Sequence, residues 1–221
     1  MIRQHGSTAL VCCFLAAAAW GAAHPFETDE ALARKEVVDT LYFRWDDNRD
    51  GRITPEDKRG WRLGGASDAD GDGELSREEL SKSPAVEPPA WSGKARRNVV
   101  YKKVDGRKLL LDVYFPRTET DGPAPVFYYI HGGGWTSGTK ELRGLWREVF
   151  ERLTEAGVCC VSVSYRLLAK PGEERTLRMR DCVVDCKDGL RFLRAHEELL
   201  GIDMDRVVVF GASAGGQLAQ I

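Results

Sequence analysis

Two glycine-rich turns, each directly after a short apolar run, constrain this 221-residue chain most tightly. Val126–Ile130 runs into His131-Gly132-Gly133-Gly134-Trp135. Val207–Phe210 runs into Gly211-Ala212-Ser213-Ala214-Gly215, about 80 residues later. Short apolar runs closed by glycine read as buried strands. Between them lie the stripe Leu142, Leu145, Trp146, Val149, Phe150, Leu153, the apolar run Val158–Val163, and a second stripe, Val183, Cys186, Leu190, Leu193. Strands alternating with helices predict an α/β unit, a mostly parallel sheet with flanking helices. Val99–Val104 and Lys108–Phe115, joined by Asp105-Gly106, predict a β-hairpin ahead of it. Sheets of this kind place their sites at strand ends, where both glycine turns fall.

The second turn has the pattern G-x-S-x-G, which holds a serine on a tight bend from strand to helix. Ser213 is therefore the candidate nucleophile. Attack on an ester turns the carbonyl oxygen into an oxyanion, and each preorganised donor to it is worth roughly 3–4 kcal/mol. The N–H groups of Gly133, Gly134 and Ala214 are the candidate donors, the last at the positive end of the helix that follows. His131 is expected to brace the glycine loop rather than act as a base, and Trp135 to pack or to wall a pocket. Asp185 is expected to be a structural or solvated helix residue.

HGGGW, Tyr165-Arg166-Leu167, the Asp185–Leu193 helix, Gly201-Ile202-Asp203 and GASAGG occur in this order. On these motifs, residues 98–221 resemble the first half of an α/β-hydrolase, nearest to hormone-sensitive-lipase-like esterases and related acetyl and feruloyl esterases. The resemblance implies a serine carboxylesterase working through an acyl-enzyme on Ser213. It implies short acyl esters as substrates, small or linked to carbohydrate. In that fold the triad acid and His follow the nucleophile. Ala214–Ile221 reads AGGQLAQI and holds neither. A truncated α/β-hydrolase is therefore expected, nearly inactive alone, with an apolar edge beside the nucleophile strand.

The front of the chain differs in composition. Residues 24–83 carry 16 acids against 10 bases, and residues 84–221 carry 18 against 21. A twelve-residue pattern occurs twice, DDNRDGRITPED from Asp46 and DADGDGELSREE from Asp68. Calcium takes six to eight oxygens, and alternating side chains around a sharp glycine turn supply them. Positions 1, 3 and 5 are Asp46, Asn48, Asp50 and Asp68, Asp70, Asp72. Arg52 and Glu74 would offer backbone carbonyls. Asp57 and Glu79 close the loops, and the shorter Asp57 predicts a weaker first site. Ile53 and Leu75 are apolar where paired loops meet. Val37, Val38, Leu41, Tyr42 and Trp45 predict the entering helix. The segment resembles the EF-hand family, which implies a small all-α module holding Ca2+. Its short repeat spacing and Asp57 also resemble dockerin modules.

Four units follow: a signal peptide at 1–23, an EF-hand pair at 24–83, a proline-rich linker at 84–97 and the hydrolase part at 98–221. Arg3, the apolar run from Thr8 to Ala19 and the small residues before His24 carry the first assignment, and predict a secreted or periplasmic protein. Four cysteines remain after cleavage, Cys159, Cys160, Cys182 and Cys186, expected as buried thiols. With 43% hydrophobic residues and a net charge of −2, the chain is neither disordered nor polytopic in a membrane, and a nucleic-acid partner is not expected. The sequence also admits a non-enzymatic reading, a calcium-dependent protein-binding module on a degenerate hydrolase scaffold, with the protein partner held by the EF-hand pair.

Overall fold

The structure is a computed structural model that describes residues 25–87, 90–169 and 176–220. The expected signal peptide lies outside these residues. The front of the chain folds as α1 (Glu30–Trp45), α2 (Lys58–Gly64) and α3 (Arg77–Lys82). Then come β1 (Ala95–Val104), β2 (Arg107–Tyr114), β3 (Ala124–Ile130), α4 (Leu145–Glu155), β4 (Cys159–Val163), α5 (Met179–Ala195), α6 (Glu197–Leu200), β5 (Ile202–Gly211) and α7 (Ala214–Leu218).

The strands form one sheet in the order β1-β2-β4-β3-β5. It is mixed, where a mostly parallel sheet was expected. β1–β2 and β2–β4 are antiparallel, and β4–β3 and β3–β5 are parallel. The connections explain this. β1 and β2 turn over two residues, Asp105 at φ 49° and Gly106 at φ 70°, and such a turn can join only antiparallel strands. α4 and α5 carry the chain across the sheet between parallel strands.

Alternating side chains divide the sheet into two packed faces. Val126, Tyr128, Ile130, Cys159, Val161 and Val163 face Cys182, Cys186 and Leu193 of α5. Tyr129 and Cys160 face Phe150 of α4. The adjacent Cys159 and Cys160 thus point to opposite faces, and all four described cysteines are buried free thiols. Burial pushes Cys159 up to about 12 and Cys182 up to about 11. β5 is an edge of the sheet, with Val208 60% and Phe210 42% exposed.

The front helices enclose their own core of Val37, Val38, Tyr42, Trp45, Ile53, Leu75, Leu80 and Val86. Ile53 and Leu75 meet as their loop positions require, Leu75 N–H donating to the Ile53 carbonyl at 2.8 Å. Val86 belongs to the stretch read as a linker, yet it is 1% exposed in this core. Pro84 comes just after α3, yet the chain stays packed as far as Val86. At the other end of that stretch β1 already begins at Ala95. Residues before α1 also cross the compositional boundary. Val100 N–H donates to Glu27 O at 2.8 Å and Asp29 N–H to Asn98 O at 3.0 Å, extending the sheet beyond β1.

α1 is buried on two sides. Opposite its own core it meets the sheet unit, where Ser164 Oγ donates to Glu36 Oε2 at 2.8 Å and Thr40 Oγ1 to Gly138 O at 3.1 Å. Glu36 is pushed up to about 7, first by burial and further by Asp112 and Glu141, against the opposing pull of Lys140 and Ser164. A carboxyl raised on folding binds its proton more tightly in the folded chain, so its stabilisation is complete below its ordinary value near 4.5 and is lost as pH rises through about 7. Thermal melts between pH 5 and 8 should show stability falling with pH by at most about 3 kcal/mol from this group. Glu36→Gln should flatten that slope; an unchanged slope would refute the assignment.

Candidate active site

The two glycine turns meet because β3 and β5 are parallel neighbours in register, Ile130 opposite Gly211. The chain leaves both strands at the same level. Ala212 N–H donates back to Ile130 O at 3.2 Å, tying the second turn to the first. A Cβ on Gly132 would sit 3.2 Å from the Ser213 Cβ and 2.7 Å from Ala212 O, so only glycine allows this approach. Gly215 is pressed just as closely on β3, where a Cβ would lie 2.1 Å from Ile130 O.

Ser213 stands at φ 52°, ψ −118°, a conformation that costs a non-glycine residue of order 1–3 kcal/mol. It caps the start of α7, so the N–H of Ala214 follows directly. Trp135 in the first loop also has positive φ, 62°. The Gly133 carbonyl accepts from Ser137 N–H at 3.0 Å and Ser137 Oγ at 2.9 Å, which fastens the loop to its own continuation.

His131 braces this loop, as its sequence position suggested. It is buried, its ring stacks on Tyr165 at 4.5 Å, and Tyr165 OH donates to its carbonyl at 3.0 Å. Its Nδ1 pairs with Gly132 O at 2.8 Å. Burial, only partly offset by that bond, lowers it to about 4, so it is neutral at neutral pH. The other described histidine, His196, pairs with Phe192 O at 2.7 Å. Among the described residues neither hydrogen-bonds Ser213, and residues 214–220 hold no Asp, Glu or His.

Asp185 is structural and in no sense solvated. It is fully buried, Arg166 grips it through Nε at 2.7 Å and Nη2 at 3.0 Å, and Lys102 Nζ adds a contact at 2.6 Å. Trp135 packs partly buried against the main core.

A cavity of 340 Å³ opens at Ser213, Gly132 and Gly133. Its far wall is Thr40, Leu41 and Arg44 of α1. The sequence marked Leu41 only as a helix residue and pointed to no role for Thr40 or Arg44, because nothing local marks a helix as the wall of a site whose loop and serine lie about 90 and 170 residues later. A larger cavity of 770 Å³ lies on the other side of the glycine loop, between α1 and the β1–β2 hairpin. Ser213 does not line it, so it is set apart from the candidate nucleophile.

The twin acidic loops have matching internal bonds. Asp57 Oδ1 accepts from Asp47 N–H at 2.7 Å and Oδ2 from Thr54 N–H at 2.9 Å. Glu79 Oε1 accepts from Ala69 N–H at 2.7 Å and Oε2 from Ser76 N–H at 2.9 Å. These backbone donors, Ser76 first, lower Glu79 to about 2. Asp68, Asp70 and Glu79 bring one carboxylate oxygen each within 4.8 Å of the others. Among the described residues no such trio forms in the first loop, and Asp72 stays outside the second, accepting from Glu74 N–H at 2.8 Å. Asp46 Oδ1 is nonetheless buried with no hydrogen-bond partner. The Arg52 side chain pairs with Glu74 at 3.3 Å, linking the two loops.

A serine of positive φ on a strand-to-helix bend, facing a glycine loop at the end of the neighbouring parallel strand, matches the strand ends of an α/β-hydrolase sheet. The family model BD-FAE matches residues 111–221, half of the chain, and the chain belongs to this α/β-hydrolase esterase family. Among curated proteins it is similar to "Probable carboxylic ester hydrolase LipM" of Mycobacterium tuberculosis, 34% identical over 117 residues, 52% of this chain and 25% of that protein. It is also similar to "Esterase LipC" of the same organism, 29% identical over 143 residues, 63% of this chain and 34% of that one. The chain thus spans about a quarter to a third of the length of these relatives. Among solved structures, apo Thermogutta terrifontis esterase 2 matches at 32% identity with a TM-score of 0.49, covering 60% of this chain and 46% of that one.

Proposed function

We propose that this chain carries the nucleophile and oxyanion donors of a serine carboxylesterase that cleaves short acyl esters, acetyl or feruloyl groups on carbohydrate among them. The observation that carries this reading is the backbone of Ser213, φ 52° and ψ −118°, held against Gly132 at the end of two paired strands. Such strain persists only where the surroundings enforce it, and it collects at sites of chemistry.

The chemistry follows from the parts. Ser213 Oγ attacks the ester carbonyl carbon while a general base takes its proton. The carbonyl oxygen, now negative, accepts from the N–H groups of Gly133, Gly134 and Ala214. The alcohol then leaves with a proton, and water releases the acid from the acyl-enzyme. In this fold the base and its orienting acid come after the nucleophile in chain order. Neutral His131 supports the loop and takes no part in proton transfer. A fluorophosphonate should add one covalent mass to the full-length protein, mapping to the Ser213 peptide; labelling elsewhere, or none, would overturn the proposal.

The reading includes calcium. The acidic donor sets suit a hard cation, and the orphaned Asp46 Oδ1 is a buried anionic oxygen that a cation would satisfy. Asp68, Asp70, Asp72, Glu79 and the Glu74 carbonyl would hold one ion. Asp46, Asn48, Asp50, Asp57 and the Arg52 carbonyl would hold another, more weakly. Bound calcium would supply charge neutralisation that fixes the loops to α1. Titration calorimetry should find the second site in the range of about 10⁻⁴–10⁻³ M typical of extracellular modules. Glu79→Gln should abolish it; unchanged binding would sink the assignment. Residues 1–23 support export, hence a secreted or periplasmic protein. No helix among the described residues is long and apolar enough to cross a membrane.

A further inference from the structure

The cavity at Ser213 is closed by a helix from the front of the chain, and that helix brings a charge. Three ionisable side chains line it besides His131 and Tyr129: Glu141, Arg143 and Arg44. Two are already spoken for. Glu141 is 5% exposed at its side chain, paired with Arg97 and with Lys140 Nζ at 3.2 Å. Arg143 Nη2 donates to the carbonyls of Val86 and Glu87, both at 3.2 Å. Arg44 is exposed, and among the described residues it makes no hydrogen bond or ion pair. Its charge nevertheless reaches across the cavity. Burial dominates the lowered basicity of His131, and Arg44 adds to it.

We infer that Arg44 is a specificity-determining residue, which draws into the cavity esters that carry a carboxylate besides the ester group. This rests on the esterase reading and deepens it. With Glu141 neutralised by two cations, the lining has an excess of positive charge at its α1 wall. A guanidinium with all its donors free is suited to a carboxylate, which it can grip with two parallel bonds. The two sides of the cavity have separate duties. The glycine loop and Ser213 receive the reacting carbonyl, which every ester has. Arg44, from α1, meets what differs between esters. The front unit then contributes to substrate choice directly, through a side chain two residues ahead of Asp46.

The test compares isosteric substrates on the full-length protein. One pair places the charge on the alcohol side, 4-acetoxybenzoate against 4-acetoxybenzamide. The other places it on the acyl side, the monophenyl ester of adipic acid against that of adipamic acid. The charged member of at least one pair should have the higher kcat/KM by about tenfold, mostly through KM, as a charge-assisted bond in a half-open site allows. Arg44→Gln should bring that ratio to about one, chiefly by lowering kcat/KM for the charged member. Arg44→Lys should keep part of it, and added salt should lower it in the wild type. A merely structural Arg44 would change both members alike. No charge preference in either pair, or a preference that survives Arg44→Gln, overturns the inference and leaves the esterase reading standing. Hydrolysis of none of the four esters overturns both.

Discussion

Replacing Ser213 by alanine should lower kcat for ester hydrolysis by the full-length protein by about 10⁴–10⁶, the scale at which a nucleophile acting as a unit with its base is lost. KM should change little, since the cavity walls remain. The folded state should survive. Alanine meets the same cost at φ 52° as serine does, and among the described residues the Ser213 hydroxyl makes no hydrogen bond; Gly216 N–H donates to its carbonyl at 2.9 Å. What remains of the rate would come from the oxyanion donors and from binding. Steady-state assays on a short aryl ester, with a thermal melt of the same preparation, decide the matter. Turnover within tenfold of wild type would remove Ser213 from the chemistry.

The second large effect concerns stability. Asp112 and Lys140 are both fully buried, their charges 2.8 Å apart. Asp112 also accepts from Asn98 N–H at 2.7 Å and Tyr114 OH at 3.0 Å, with Arg97 Nε at 3.4 Å. Burial pushes the Asp112 carboxyl up, but Lys140 and Arg97 outweigh it and hold the group below its ordinary value. The reverse balance keeps the Lys140 ammonium charged. Asp112→Ala removes the hub of this network and leaves the buried lysine only Glu141 at 3.2 Å and the Asn98 side chain at 2.5 Å. Breaking one side of a buried pair costs about 3–5 kcal/mol. At this chain length that is a fall in Tm of roughly 10 °C. Asp112→Ala with Lys140→Met removes both charges and should recover much of the loss. A double variant as unstable as the single one would show that the pair is not what holds β2 to the loop that follows the glycine turn.

The elements were legible where their physics is local. The Asp105-Gly106 turn, the apolar runs of β3, β4 and β5, and the stripes of α4 and α5 are all found where period and turn chemistry put them, within a few residues. Leu142 belongs to the stripe of α4 yet precedes the helix, which begins at Leu145; it is buried all the same. The candidate nucleophile was legible because its bend needs particular residues at particular spacings. Less was legible wherever two distant segments meet. The proline-rich stretch looked free because prolines mark breaks, and only the packed structure shows Val86 in a core. Asp185 looked like one more charged helix residue until Arg166, 19 residues away, closed on it.

The sequence by itself determined the bends, the strands and the acidic loops, since glycine conformations, two-residue alternation and carboxylate spacing act over a few residues. It also determined that Ser213 and the glycine loop would both end strands. Tertiary structure alone decided that these two strands would be neighbours in register, so that the turns face each other. It alone placed α1 against them, through contacts such as Thr40 with Gly138 and Glu36 with Ser164, separated by 98 and 128 residues. Pairings at that distance are set by how whole faces fit and by which buried charges find partners, and no short stretch of chain encodes either.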